Sequence, residues 1–101
     1  MASRLQLQTL LEEILGSNNV YYQPPETIRM QYPAIVYSLN SIDNDNADDA
    51  PYIQSRSYEI ILIERDPDSE TINKLSKLPM CRFNRHYKAD NLNHYVFTLY
   101  Y

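Results

Sequence analysis

Glycine is almost absent from this sequence, because Gly16 is the single glycine among 101 residues. Phosphate-binding loops of the dinucleotide and P-loop types require several glycines at fixed spacing. The shortage therefore excludes nucleotide-binding proteins of those two types. Cysteine is equally rare: Cys81 stands alone and cannot form an internal disulfide, which fits a reducing compartment. We interpret Cys81 as a small, buried apolar residue.

Long apolar runs and an excess of basic residues are missing as well. No segment approaches the ~20 apolar residues that span a membrane, and the beginning, MASRLQLQ, lacks the pattern of a signal peptide. The sequence has nine Lys and Arg residues and 13 Asp and Glu residues, which gives a net charge of -4. Because Lys and Arg drive phosphate binding, this balance argues against nucleic acid as the main ligand. These absences predict a cytosolic chain without membrane or specific nucleic-acid binding.

Apolar and aromatic side chains are plentiful, with 44% hydrophobic residues and 10 tyrosines. A chain of this length has room for one core, so residues 1–101 are predicted to form one domain. The succession of patterns predicts the α+β class. We expect a mostly antiparallel β-sheet with two α-helices packed on one face, in the order α-β-β-α-β-β, and with a long acidic β-hairpin.

Two segments have the pattern of helices. The first is predicted to begin at Ser3, which matches a capping box with Gln6, and to end at Gly16. Its apolar stripe spans barely two turns, so we expect it to pack on the domain's own sheet and not on a partner helix. The second helix is predicted to start at Asp66 as N-cap, with Pro67 in the first helical position. The stripe of the first helix consists of Leu7, Leu10, Leu11, Ile14 and Leu15.

Strand patterns fill most of the remaining chain. Val20–Tyr22 favours a short strand, and a longer strand follows Pro33. The polar, turn-rich segment Asn44–Pro51 is predicted as the tip of the long hairpin, whose second arm, Tyr52–Arg65, ends in the buried run IILI. A second hairpin is predicted from the strands Met80–Tyr87 and Leu92–Tyr101, with a turn at Lys88–Asn91.

The predicted hairpin tip is strongly acidic, with four aspartates within seven residues. It begins like a calcium-binding loop, but Asp48 stands in place of the required glycine and Gln54 in place of the final acid. A solvated loop, a loop that faces something negative, and a loop that meets a basic partner remain as interpretations. The candidates for a channel-lining or ring-docking loop are Asp43, Asp45, Asp48 and Asp49.

No residue can be named as catalytic, cofactor-binding or metal-binding. His86 and His94 lie on the two arms of the second hairpin, where they could face each other, but two imidazoles without a third ligand make a poor metal site. No serine or cysteine lies in a nucleophile motif, and the carboxylates show no paired acid and base. We therefore expect a protein without enzyme activity, cofactor or metal.

Aromatic residues exceed what the core of so small a sheet requires. The surplus indicates a buried subunit interface, although sheet packing accounts for about half of these rings. The segment DNLNHYVFTLYY would be an aggregation hazard unless the sheet or a partner covers it. We expect the interface to use the sheet edge and the hairpins, with Tyr58, Tyr95, Phe97 and Tyr100 as candidates.

Three longer tracts carry a resemblance to a known family. They are YYQPPETIRMQYPAIVYSL, YEIILIERDPDSETINKLSKLPMCRFNRHY and ADNLNHYVFTLYY, which cover nearly the whole chain from Val20 onward. Their combination of PPE, YPAIVY, RDPDS, LPM and ADNLNHY resembles the small tail terminator proteins of tailed bacteriophages, also described as tail completion or minor capsid proteins.

The resemblance implies a structural virion protein that forms a ring, usually of six copies. Such a ring caps the finished tail tube, ends its polymerisation and presents a surface to the head-side connector or stopper protein. DNA passes through the ring, and neither enzyme activity nor a cofactor is implied. The protein would lie at the head–tail junction of the virion after assembly in the host cytoplasm. The alternative from another class is a small cytosolic adaptor or regulatory domain that binds a peptide or small molecule on its sheet.

Overall fold

The computed structural model describes residues 4–24, 31–45, 53–66 and 68–100. They form a small α+β domain with a mixed five-stranded sheet and two helices. The elements are α1 (Arg4–Leu15), β1 (Val20–Tyr22), β2 (Ala34–Asp45), β3 (Ile53–Glu64), α2 (Glu70–Ser76), β4 (Cys81–Ala89) and β5 (Leu92–Tyr100). The predicted order α-β-β-α-β-β did not count β1 as a strand of the sheet. The observed order therefore has one strand more.

The sheet has the strand order β1-β2-β3-β5-β4. β1 runs parallel to β2, with Val20 opposite Ile35, whereas the three other pairings are antiparallel. The sheet is therefore mostly antiparallel, as predicted, but mixed. β5 is not the outer arm of a terminal hairpin, because it lies between β3 and β4 and has a neighbour on each side.

Helix α1 packs on the sheet through its apolar stripe. Leu7 and Leu11 are completely buried, and Ile14 packs against the same cluster, which confirms the prediction that the stripe belongs to the domain's own core. The helix ends at Gly16, whose φ of 81° is left-handed and whose N–H donates to the Glu12 carbonyl at 2.9 Å. A glycine adopts this conformation without the strain of a side chain.

Helix α2 begins three residues later than predicted. Its N-cap is Ser69, whose Oγ accepts the backbone N–H of Thr71 at 3.1 Å. Asp66 does not cap the helix. Its Oδ1 accepts the N–H of Asp68 at 2.9 Å, which closes a local turn that precedes the helix. A short polar side chain bonds to the backbone two residues on either in a cap or in such a turn, and sequence alone does not separate the two.

The core lies between the sheet and both helices, since Leu11 of α1 and Leu75 of α2 belong to one buried cluster. The cluster takes alternate residues of each strand, which identifies one face of the sheet as the helix-covered face. On β3 these residues include the first and third residues of the predicted IILI run, Ile60 and Leu62, both fully buried. The other sheet residues of the cluster are Val20, Ile35, Tyr37, Tyr58, Tyr95, Phe97 and Leu99.

Strands β2 and β3 extend beyond the rest of the sheet. β1 reaches only Tyr37 on β2, and β5 reaches only Ser57 on β3. Past these points the two strands pair with each other as far as Asp45 and Ile53. We call the segments Ser41–Asp45 and Ile53–Arg56 the distal ribbon. Of the predicted tip, Asn44–Pro51, the first two residues belong to β2, and residues 46–51 lie outside the described residues.

A β-bulge marks the place where the distal ribbon leaves the sheet. The register of β2 against β3 shifts between Leu39 and Ser41. The hydroxyl groups of Ser41 and Ser57 lie 2.6 Å apart, and Asn40 Nδ2 donates to Ser57 Oγ at 3.2 Å. Because Ser57 is completely buried, these bonds supply the partners that its hydroxyl would otherwise lack.

Candidate functional site

Strand β4 forms one outer edge of the sheet and is exposed along most of its length. Seven of its nine residues are exposed, and its two end residues are half-buried. It pairs with β5 on one side, and none of the other described strands pairs with its outer side. Its outward backbone N–H and C=O groups are thus available to a further strand, which makes β4 the first candidate for an interaction surface.

The side chains of β4 give this edge a positive charge. Arg82, Arg85 and Lys88 are exposed, and the strand contains no carboxylate. Three of the nine basic residues of a chain with net charge -4 therefore lie on one strand. Basic side chains on an edge strand discourage unspecific pairing with other strands, and they favour partners of negative charge.

Exposed apolar side chains collect at the same edge. Among the described residues, seven large hydrophobic side chains are exposed, and four of them lie here: Met80 at 69%, Phe83 at 54%, Tyr87 at 38% and Tyr100 at 39%. The backbone N–H of Tyr100 donates to the Met80 carbonyl at 3.1 Å, which holds the end of β5 beside the start of β4. Methionine, aromatic residues and arginine are the residue types enriched in protein interfaces. The β4 edge surface comprises Met80, Arg82, Phe83, Arg85, Tyr87, Lys88 and Tyr100.

A two-residue turn sets the register of β4 against β5. Asp90 and Asn91 both have positive φ, 53° and 63°, as a two-residue hairpin turn of type I′ requires. The turn is shorter than the predicted Lys88–Asn91, because β4 continues to Ala89, whereas β5 begins at Leu92 as predicted. A register shift between Phe83 and Arg85 then changes the pairing partway along β4.

The two histidines of this hairpin lie on opposite faces of the sheet. His86 is opposite Tyr95 and stacks on its ring with centroids 4.6 Å apart, whereas His94 is opposite Tyr87 and stacks at 4.7 Å. The expectation that the imidazoles could face each other is wrong, because residues 86 and 94 are not a register pair. Arg85 lies over the Tyr87 ring at 5.7 Å, which adds a cation–π contact to that stack.

Of the four aromatic interface candidates, three lie in the core. Tyr58 and Tyr95 are 4% and 7% exposed and Phe97 is completely buried, so their rings serve the packing of their own chain. Burial raises the pKa of Tyr95, and the negative charges of Glu64, Asp68 and Asp66 raise it further. Tyr100, at the end of β5, is the one of the four whose side chain is exposed.

The acidic candidates divide between described and undescribed parts of the chain. Asp43 and Asp45 belong to β2, where they pair with Ser55 and Ile53 of β3 in the distal ribbon. Asp48 and Asp49 lie outside the described residues.

Glu64 and Cys81 are the titratable groups with the least ordinary surroundings. Glu64 Oε2 is buried and has no hydrogen-bond partner, and burial raises the pKa of this carboxyl although a hydrogen bond with Ser69 opposes the change. Burial also raises the pKa of the Cys81 thiol, which disfavours the nucleophilic thiolate. Within the described ranges, no three His, Cys, Asp or Glu side chains are grouped so that they could hold a metal ion.

Comparison with models of known protein families and with curated protein sequences finds no match for this chain. In the part of the chain that the structure describes, no helix has both the length and the apolar character needed to cross a membrane. The β4 edge surface is therefore the feature of the molecule from which a function can be proposed.

Sequence reasoning identified only Tyr100 of the β4 edge surface. It selected aromatic residues of the strand patterns without regard to their position in the sheet. A usable signal was nevertheless present: CRFNRHYKA carries three basic residues and no acid within a strand pattern, in a chain that is acidic as a whole. A uniformly charged strand of this kind is typical of an edge.

Proposed function

We propose that the protein is a structural subunit of a phage tail, which assembles into a ring at the head end of the tail tube. The ring, with six copies, ends the polymerisation of the tube protein and forms the joint to the connector or stopper protein. It has no catalytic role and needs no cofactor. Assembly takes place in the host cytoplasm, and the ring remains in the virion with DNA passing through it.

The observation that carries the proposal is the β4 edge surface. An exposed outer strand with Met80, Phe83, Tyr87 and Tyr100 on its surface is costly to leave in water. A closed oligomer covers such a surface and leaves no free edge for further growth. The resemblance of the three sequence tracts to tail terminator proteins supplies the particular kind of oligomer.

The proposal includes the acidic β-hairpin predicted from the sequence. The residues between β2 and β3 would close this hairpin. Its aspartates would then lie at the channel or against the adjoining ring. At the channel, their negative charge would repel DNA and prevent the wall from binding phosphates.

The alternative, an adaptor domain with a small-molecule ligand, requires a suitable pocket. The apolar cleft between Leu10, Leu78, Met80 and Leu99 has a volume of about 190 Å³. Ligand pockets commonly measure roughly 300–1,000 Å³, so this cleft is small for the purpose, whereas a depression of about 360 Å³ beside Arg82, Phe83 and Thr98 lies at the β4 edge itself. A peptide ligand at the β4 edge would leave the protein a monomer or dimer.

The proposal is tested by adding the purified protein to polymerising tail tube protein from the same phage. We expect electron microscopy to show rings, mass photometry to show a discrete oligomer of about six copies, and tubes to stop growing with a ring at one end. Tyr100→Ala should weaken ring formation while the thermal unfolding of the subunit changes little, because its ring is partly solvated in the monomer. A strictly monomeric or dimeric protein that leaves tube growth unaffected would contradict the proposal and favour the adaptor.

A further inference from the structure

The β4 edge has a counterpart of opposite charge on the same chain. β1 pairs only with Ile35–Tyr37 of β2, so residues 38–45 of β2 have no partner on that side among the described strands. This outer edge of β2 carries Asp43 and Asp45 and no basic residue. Within the described residues, the sheet therefore has two open strand edges on opposite sides: a basic one at β4 and an acidic one at residues 38–45 of β2, which we call distal β2.

The acidic edge belongs to the part of the sheet that has the least support. Among the described strands, each strand of the distal ribbon has only the other as its neighbour, because the pairing with β5 ends at Ser57. A two-stranded ribbon is at best marginally stable in water, and a third strand stabilises it. Ile42, which lies in the ribbon, is 43% exposed and gains a covering if a further strand pairs there.

From these features we infer that the β4 edge of one copy binds the distal β2 edge of the next copy, so that the sheet continues across the subunit boundary. This inference rests on the proposed ring and names the surfaces that join its subunits; it places Asp43 and Asp45 in the joint between subunits and not at the channel. Main-chain hydrogen bonds supply pairing between the open edges, as in other cases of β-strand addition. Arg82, Arg85 and Lys88 meet the acidic strand, while Phe83, which lies on the same face of the sheet as Ile42 by register, covers that residue.

Charge decides the symmetry of this joint. Pairing of β4 with β4 brings three basic residues against three, and pairing of distal β2 with distal β2 brings aspartates together. Both symmetric arrangements are repulsive, whereas β4 against β2 is attractive. The contact is therefore head-to-tail, and a head-to-tail contact that closes produces a ring rather than a two-fold dimer.

Charge reversal in two variants tests the joint in the full-length chain. The first variant, R82E/R85E/K88E, has two acidic edges, and the second, D43K/D45K, has two basic edges. Each alone should associate at least about 100-fold more weakly than the parent protein in sedimentation velocity, because like charges face each other. An equimolar mixture of the two variants should assemble, because the acidic edges of the first variant can pair with the basic edges of the second. The chain that carries all five substitutions should assemble by itself.

Controls separate the joint from the effect of net charge and from misfolding. R65E/K74E/K77E changes the charge by the same amount at three other exposed positions and should leave assembly unchanged. Circular dichroism and thermal unfolding should show folded monomers for both reversal variants. Raising the salt concentration from about 0.05 M to about 0.5 M should weaken the parent assembly and strengthen that of each single variant, since screening reduces attraction and repulsion alike.

Three outcomes overturn the inference. If the parent protein does not oligomerise, both the proposed ring and this joint are wrong. If the parent forms rings and either reversal variant forms them equally well alone, the ring stands and the joint lies elsewhere. If R82E/R85E/K88E keeps its assembly but loses affinity for a labelled single-stranded DNA of about 30 nucleotides, β4 serves nucleic acid and not a second copy.

Discussion

Strands β4 and β5 are neighbours of equal length, nine residues each, yet one is surface and the other is core. β5 buries five of its residues, whereas β4 buries none completely. Both contain aromatic residues, and a phenylalanine of each takes part in one edge-to-face pair, Phe83 with Phe97, at 5.6 Å. Phe97 is completely buried and Phe83 is 54% exposed.

The difference between the two strands follows from their position in the sheet. β5 lies between β3 and β4, so both of its backbone sides are paired and its helix-facing side chains are covered. β4 has one neighbour and, in the described residues, no helix above most of its length. Aromatic content therefore indicates a strand but not its burial, and the charges of β4 are the feature that distinguishes an edge from a centre.

The largest expected effect comes from truncating the phenylalanine pair one ring at a time. Phe97→Ala should lower the free energy of unfolding by about 3–5 kcal/mol, since it removes a fully buried ring and leaves a cavity. Phe83→Ala should cost less than about 1 kcal/mol, because water already reaches that ring. Urea unfolding of the two variants measures both values. Equal losses would show that β4 belongs to the core as fully as β5.

A smaller effect is expected at the turn that joins the two strands. Asn91 has a φ of 63°, which a β-branched residue tolerates poorly. Asn91→Val should therefore destabilise the protein by about 1–2 kcal/mol, whereas Asn91→Gly should be neutral or stabilising. Thermal unfolding distinguishes the pair. If valine is accepted as readily as glycine, the register between β4 and β5 does not depend on this turn.

The smallest effect concerns Glu64, which lies opposite Asn93 at the start of β5. Burial raises the pKa of this carboxyl above its ordinary value of 4.5, so the native state holds the proton more tightly than the unfolded state. The stability that Glu64 contributes is therefore present below pH 4.5 and is lost as the pH rises through its folded-state pKa. Glu64→Gln should be more stable than the parent at pH 7, and the difference should shrink on acidification.

Denaturant unfolding between pH 3 and pH 8, roughly the range in which carboxyl groups titrate, measures this difference. Glu13→Gln, at an exposed position of α1, controls for the removal of one negative charge. Stability profiles of Glu64→Gln and the parent that run parallel across the range would mean that the buried Oε2 finds water in solution.

The sequence predicted those parts of the fold that depend on local periodicity. The leucine stripe of α1, its end at Gly16 and the burial of Ile60 and Leu62 each follow from the spacing of apolar residues. The N-cap of α2 was misplaced because Asp66 and Ser69 have equivalent local signals, and only the three-dimensional arrangement shows which one faces the helix.

The order of the strands could not be predicted in this way. Nothing in the segment DNLNHYVFTLYY states that it pairs with β3 as well as β4, because such pairing depends on residues far apart in sequence. Because the strand order was not predicted, the choice of interface candidates could not take it into account. Tyr95 and Phe97 were selected as surplus aromatics, whereas their place in a central strand uses them in the core, and the exposed rings of β4 were overlooked.

The placement of β5 also bears on how the protein is made. A ribosome completes β3 and β4 before it adds β5, yet β5 is the strand that lies between them. Until β5 emerges, β3 exposes its side of Ile61, Leu62 and Ile63 as an unpaired, apolar strand edge, the kind of surface through which incomplete chains aggregate. The sheet can therefore be completed only after β5 has been synthesised, and β3 keeps an unpaired edge until then.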